Sequence, residues 1–263
     1  MIPKIIHYCW FGGNPLPELA QKCIASWMKY LPDYEIKEWN ESNYDVRKIP
    51  YIAQAYDAKK YAFVSDYARF DILYQFGGIY FDTDVEMIKD LTPIIEKGAF
   101  IGVEKGKRPL LAAGLGIASP AATAIYREIL DSYKSEQFVK EDGAFNLKTV
   151  VERVSEIYVR HGFFESDNMQ YVADTFIYPS DYFCPKDFDT GNLEITENTY
   201  CIHHYDGSWM PPYVVAQQKA KIRFNRRFGK NTFSRLIFIL WCVYYRIKTN
   251  GLWKTFLHYF GRM

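Results

Sequence analysis

The chain has no CxxC pair: its five cysteines, Cys9, Cys23, Cys184, Cys201 and Cys242, are scattered and odd in number. That argues against a disulfide framework and against a structural zinc site, and a reducing, cytoplasmic setting is the expectation. The N-terminal stretch MIPKIIHYCWFGG has one early lysine, no long apolar core and no small-residue cleavage site, so it reads as a first strand and not as a signal peptide. Near the other end, LIFILWCVYY at 236–245 is only ten residues long, when a helix needs about 20 to cross a bilayer. Repeats and low-complexity segments are absent. Acidic residues stop at Asp206: from Gly207 to Met263 there are eleven Lys or Arg and no Asp or Glu, which leaves 21 of the 32 basic residues against all 31 acidic ones in the body. A net charge of +1 thus conceals an acidic body and a basic tail, an asymmetry that suggests two jobs.

What is present suits an ordinary globular protein. At 263 residues, 49% hydrophobic and 24% charged, the chain can build one α/β domain with an appendage or two small domains. Residues 3–10 read as a strand that ends at Gly12-Gly13, 16–30 as a helix with Leu19, Cys23, Trp27 and Tyr30 on one stripe, 34–40 as a second strand and 51–60 as a short helix. Residues 62–76 carry a helical stripe of Phe63, Tyr67, Phe70 and Tyr74, closed by a left-handed cap at Gly77. Further strands are expected at IYFDT, AFIGVE and LAAGLGIAS, helices at 120–134 and 143–160, and short strands with turns over 171–206. Strands alternating with helices predict an α/β fold with a mainly parallel sheet over residues 1–215, followed by a basic, aromatic, helical tail over 216–263.

The chemistry is carried by GGIYFDTDVEM, residues 77–87. A period of two puts Asp82 and Asp84 on the same side at a strand's end, where two carboxylates repel unless a cation compensates. A hard divalent ion, Mn²⁺ or Mg²⁺, prefers such oxygen ligands together with substrate phosphates; the plain alternative is a solvated turn. Asp66 and Arg69 share a helical face, as a surface ion pair or as a polar face overlooking the metal. His7 has apolar neighbours and reads as core, whereas Trp10, at a strand end before Gly12-Gly13, suits base stacking.

Three blocks together resemble glycosyltransferase family 32: I2-P3-K4-I5-I6-H7-Y8-x-W10-F11-G12, then S65-D66-x-x-R69-x-x-x-L73-Y74-x-x-G77-G78-I79-Y80-x-D82-x-D84, then H203-H204-Y205-x-G207-S208-W209. The resemblance covers roughly residues 1–215 and implies a GT-A type nucleotide-sugar-binding fold, a divalent metal, usually Mn²⁺, and retention of anomeric configuration. It implies that His7, Trp10, Asp66, Arg69, Tyr80, Asp82, Ser208 and Trp209 bind the donor, with Trp10 on the base and Asp66 and Arg69 on the sugar hydroxyls. Asp82 would face the ribose or a metal-bound water, Asp84 would ligate the metal, and Trp209 would donate its indole N–H to the leaving diphosphate. One histidine of His203-His204 would complete the metal shell; His204 is favoured, since only one of two adjacent residues faces inward on a strand. The stretch 110–122 lacks the asparagine, and 163–183 the Gly-Pro, frequent in that family, so acceptor recognition is expected to differ.

The favoured function is transfer of a sugar from a UDP-sugar to a saccharide acceptor, lipid-linked ones included, of a cell-surface polysaccharide such as a capsule. A metal-dependent phosphohydrolase, or a non-catalytic sugar- or lipid-binding protein, are the alternatives. Nucleic-acid binding is weakly supported. The tail suits an anionic membrane surface, which predicts a peripheral location on the inner face of the cell membrane.

Overall fold

The apolar run IIHYC makes β1 (Ile5–Cys9), with four of its five residues buried. The structure is a computed structural model that describes residues 1–106, 108–207, 212–229 and 232–250. After β1 come α1 (Glu18–Tyr30), β2 (Glu35–Trp39), α2 (Pro50–Asp57), α3 (Tyr61–Phe76), β3 (Gly78–Tyr80), β4 (Val85–Met87), α4 (Thr92–Ile95), β5 (Phe100–Gly102) and β6 (Ile117–Ser119). The chain continues through α5 (Ala124–Lys134), α6 (Val150–Arg160), β7 (Gln170–Val172), β8 (Thr175–Tyr178), α7 (Ser180–Phe183), β9 (Cys201–His203), α8 (Pro212–Phe228) and α9 (Thr232–Asn250).

Seven strands form one sheet in the order β2-β1-β3-β6-β5-β8-β7, and β4 pairs with β9 in a small second one. The pairs β1–β2, β1–β3 and β5–β8 are parallel, and β6 and β7 run against their neighbours. Five strands therefore share a direction, and the predicted α/β class with a mainly parallel sheet stands. Side chains alternate between two cores: Tyr80, Ile101, Ile117 and Ile177 join one, Ile79, Phe100, Ala118 and Tyr178 the other. A period of two assigns these cores to opposite faces of the sheet.

Local chemistry explains several boundaries. Helix α6 starts at residue 150 and not 143 because Thr149 and Glu152 form a reciprocal capping box. The run 110–119 yields only β6, since Gly114 and Gly116 interrupt it and Gly116 takes φ 135°. Helix α3 does not have the predicted single stripe. Val64, Tyr67, Ala68, Arg69, Phe70, Asp71, Ile72 and Leu73 are all buried, so the helix is wrapped on most sides and its polar residues need partners. Asp71 finds them in Tyr44 and Lys48.

The chain divides into two compact units. The first comprises Met1–Lys186 and Leu193–Tyr205; the second joins Asp187–Asn192 to the chain from Asp206 on. The expected boundary at 215/216 falls inside α8, a continuous helix. In the second unit, Lys221 pairs with Asp189, and Arg226 donates to the carbonyls of Thr190 and Gly191, which fastens the 187–192 loop to α8.

Candidate active site

The site lies where the chain changes direction across the sheet. From β1 it passes to β2 on one side, then returns to β3 on β1's other side. Such a switch point leaves a crevice at the carboxyl ends of the two strands, and Trp10 follows β1 there as Asp82 follows β3. No loop separates α3 from β3. Gly77 takes φ 65° and ψ −165°, a backbone region that only glycine enters readily, not the predicted left-handed helical cap. A Cβ on Gly78 would sit 2.7 Å from the Ile5 carbonyl and 2.9 Å from His7 Nε2.

That contact gives His7 its role. Trp39 Nε1 donates to His7 Nδ1 at 3.1 Å, so the ring's proton sits on Nε2, which donates to the Gly77 carbonyl at 2.9 Å. Burial lowers the His7 pKa from 6.5 to about 4, so the ring is neutral. His7 is wholly buried; it braces the Gly77 corner and does not face a donor.

The Asp82–Asp84 pair departs from its predicted placement. The two aspartates are not on a strand: Asp82 leaves β3, and the turn closes through Val85 N–H donating to the Asp82 carbonyl at 3.1 Å. Each carboxylate consequently has its own surroundings. Asp82 receives Arg69 at 3.3 Å and the Tyr80 hydroxyl at 3.1 Å. Asp84 Oδ1 lies 3.2 Å from His203 Nε2.

Arg69 is the hub. Its guanidinium is 4% exposed, reaches Asp66 at 2.9 Å and Asp82 at 3.3 Å, and lies over the Tyr80 ring at 4.8 Å. The pair is buried, not the surface pair that the i, i+3 spacing alone would allow. One cation serves two carboxylates, and burial outweighs it at Asp66, raising that carboxyl from 3.8 to about 7. Tyr80 is itself 1% exposed, so it holds Asp82 and Arg69 in place and does not reach outward.

The two histidines have different carboxylate partners. His204 Nε2 is bonded to Glu86 at 2.8 Å, and Glu86 also takes Lys22. His203 stands beside Asp84: burial opposes its charge, but the Asp84 carboxylate prevails and raises its pKa from 6.5 to about 10. The reason is register, since β9 pairs antiparallel with β4 and sets His203 opposite Val85, next to Asp84. Trp10 is half-buried with its indole N–H donated to the Asn14 carbonyl at 2.6 Å. Ser208 and Trp209 lie outside the described residues.

Gly114 was not visible as a site residue. Its carbonyl accepts the Asp82 N–H at 3.1 Å, and a Cβ there would sit 2.0 Å from Asp82 Oδ2. The doubled glycine in LAAGLGIAS was the available signal, because close backbone approach is what a glycine inside an apolar run provides. Among the described residues no three His, Cys, Asp or Glu side chains stand close enough to hold a metal unaided. The oxygen donors of Asp82 and Asp84 do fit Mn²⁺ or Mg²⁺.

Inositol phosphoceramide mannosyltransferase 3 of Schizosaccharomyces pombe is 34% identical over 104 residues, which is 38% of this chain and 29% of that protein. Mannosyl phosphorylinositol ceramide synthase CSH1 of Saccharomyces cerevisiae is 31% identical over 109 residues, 38% of this chain and 28% of that protein. The matches thus span under a third of these relatives' length. Among solved structures, PaToxG glycosyltransferase aligns at a TM-score of 0.48 with 20% identity, covering 60% of this chain and 69% of that one. The family match is narrower than the resemblance over 1–215, leaving out both the IPKIIHYCWFG block and the histidine block. Residues 17–101, which contain Asp66, Arg69, Asp82 and Asp84, match the family described as glycosyltransferase sugar-binding region containing DXD motif.

Proposed function

We propose that the chain is a metal-dependent, retaining glycosyltransferase that moves a sugar from a nucleoside-diphosphate sugar to a saccharide or glycolipid acceptor. The observation that carries this reading is the cluster of buried Arg69 with the partly exposed Asp66 and Asp82, at the switch point and inside the matched DXD region. Arg69 and Asp66 are fixed before substrate arrives, which is the condition for binding sugar hydroxyls without reorganisation. Asp84, with Asp82 behind it, would hold Mn²⁺ or Mg²⁺, and His203 would orient Asp84. Bound there, the ion neutralises the diphosphate as it leaves.

The bond from the anomeric carbon to the diphosphate oxygen breaks, with the electron pair leaving on the phosphate. The acceptor oxygen bonds to the same carbon, and its proton passes to the departing phosphate oxygen. A covalent route to retention needs a carboxylate poised as nucleophile. Asp66 and Asp82 are engaged by Arg69 and Asp84 by His203, which favours attack from the leaving group's own face.

The relatives' names pair a mannosyl group with an inositol phosphoceramide acceptor. Nucleoside-diphosphate mannose therefore joins UDP-glucose, UDP-galactose and their N-acetyl derivatives as donors to test. The experiment is a donor screen with Mn²⁺, reading nucleotide release and sugar transfer by mass spectrometry, repeated after thorough chelation. Release from one donor, lost with EDTA and restored by Mn²⁺, is expected. Turnover undiminished by chelation would overturn the metal-dependent reading, and release of inorganic phosphate alone would overturn the transferase.

A further inference from the structure

Helix α9 leaves one apolar face in water. Phe233, Leu236, Ile239, Leu240 and Tyr244 are between 55% and 63% exposed. At about 100° per residue these five fall within one sector of the helix. A contiguous apolar stripe of this kind marks an interaction surface, whereas single exposed apolar residues do not. Around it the charge has one sign: Arg223 and Arg227 are exposed on α8, and Lys248 is exposed near the end of α9. From Gly207 on there are eleven basic residues and no Asp or Glu, and Lys221 takes its partner, Asp189, from the 187–192 loop. Among the described residues no helix is long and apolar enough to cross a membrane.

We propose that α9 lies in the plane of an anionic phospholipid bilayer, with Phe233, Leu236, Leu240 and Tyr244 in the boundary between headgroups and acyl chains and the flanking cations on lipid phosphates. Charge decides among the occupants. A second copy of this segment would bring an equally basic surface against it with no carboxylate after Asp206 to pair. A nucleic acid would satisfy the cations and leave the aliphatic stripe in water. An anionic bilayer satisfies both at once, and each basic residue near it adds attraction that salt screens within a Debye length.

The test is co-sedimentation of the full chain with vesicles of phosphatidylcholine alone or mixed with phosphatidylglycerol, over a salt series. Partitioning onto the anionic vesicles is expected to exceed that onto neutral ones at least tenfold at low salt and to fall at least tenfold in 0.5 M NaCl. Leu236→Glu with Leu240→Glu should lose at least tenfold. The surface variant Arg223→Gln, Arg227→Gln, Lys248→Gln, which leaves the apolar stripe unaltered, should lose the preference for anionic over neutral vesicles. Equal binding to both vesicle types would overturn the proposal, as would unchanged binding by both variants. A concentration-dependent dimer that Leu240→Glu dissociates, without vesicle binding, would make the face a self-interface. Tighter binding to duplex DNA than to anionic vesicles at equal salt would also overturn the proposal.

Discussion

Trp39 Nε1 donates to His7 Nδ1 at 3.1 Å, and this bond decides which His7 nitrogen can grip the Gly77 carbonyl. The stability of the corner beneath Asp82 therefore depends on keeping His7 neutral. Its pKa is about 4 in the folded protein against 6.5 when unfolded. The depressed value means that the unfolded chain takes up the proton first. The contribution is whole above pH 6.5 and is lost as pH falls towards 4, amounting to about 3 kcal/mol at most. Urea unfolding midpoints between pH 7 and 4 check this, and His7→Gln, which does not titrate, should flatten that part of the curve.

Arg69→Lys should leave the fold intact and lower kcat/KM for the donor about 100-fold. The guanidinium uses separate nitrogens for Asp66 and Asp82, and a lysine ammonium at the end of a flexible stem cannot reproduce that fork. Kinetics equal to those of the unaltered enzyme would return Arg69 to a structural role. Arg69→Ala should instead unfold the protein at lower urea, because it removes the buried cation shared by a mostly covered Asp66 and a partly exposed Asp82.

Gly114→Ala tests the loop over Asp82. Its added methyl needs the space of Asp82 Oδ2, and displacing a site group by about 1 Å can cost on the order of 100-fold in rate. Donor turnover should drop by that order while the thermal midpoint moves only a few degrees. Wild-type turnover would mean that Asp82 can move without consequence.

Substitutions at the two histidines should separate cleanly. His203→Gln removes the cation beside Asp84 and should shift the Mn²⁺ concentration for half-maximal activity at least tenfold. His204→Gln breaks a bond to Glu86 that Lys22 also supplies, and should move it less than twofold. The reverse ranking in a metal titration would restore His204 as the ligand.

The sheet, the helices around it and the cluster of Asp66, Arg69 and Asp82 were legible because each rests on local pattern: an apolar run, an i, i+3 pair, a double glycine before a strand. What was not legible depends on partners distant in sequence. That His203 and not His204 stands beside the Asp84 carboxylate follows from the β4–β9 register, which neither strand encodes alone. Burial of Arg69 follows from packing on most sides of α3, where periodicity suggested one wet face. Gly114 approaches Asp82 only because β6 brings the chain back to the end of β3.

Strand β6 runs against β3, with Ile117 opposite Tyr80. In a wholly parallel sheet, chain only departs from the edge where Asp82 sits, and every wall of the site must be built from what leaves. Here residues 110–116 arrive at that edge from outside. That arriving segment is tied to the site, because the Gly114 carbonyl accepts the Asp82 N–H and the space beside Gly114 is filled by the Asp82 carboxylate. Asp82 is therefore held from two directions of chain travel: from below by β3 leaving its His7-braced corner, and from above by a segment entering the sheet.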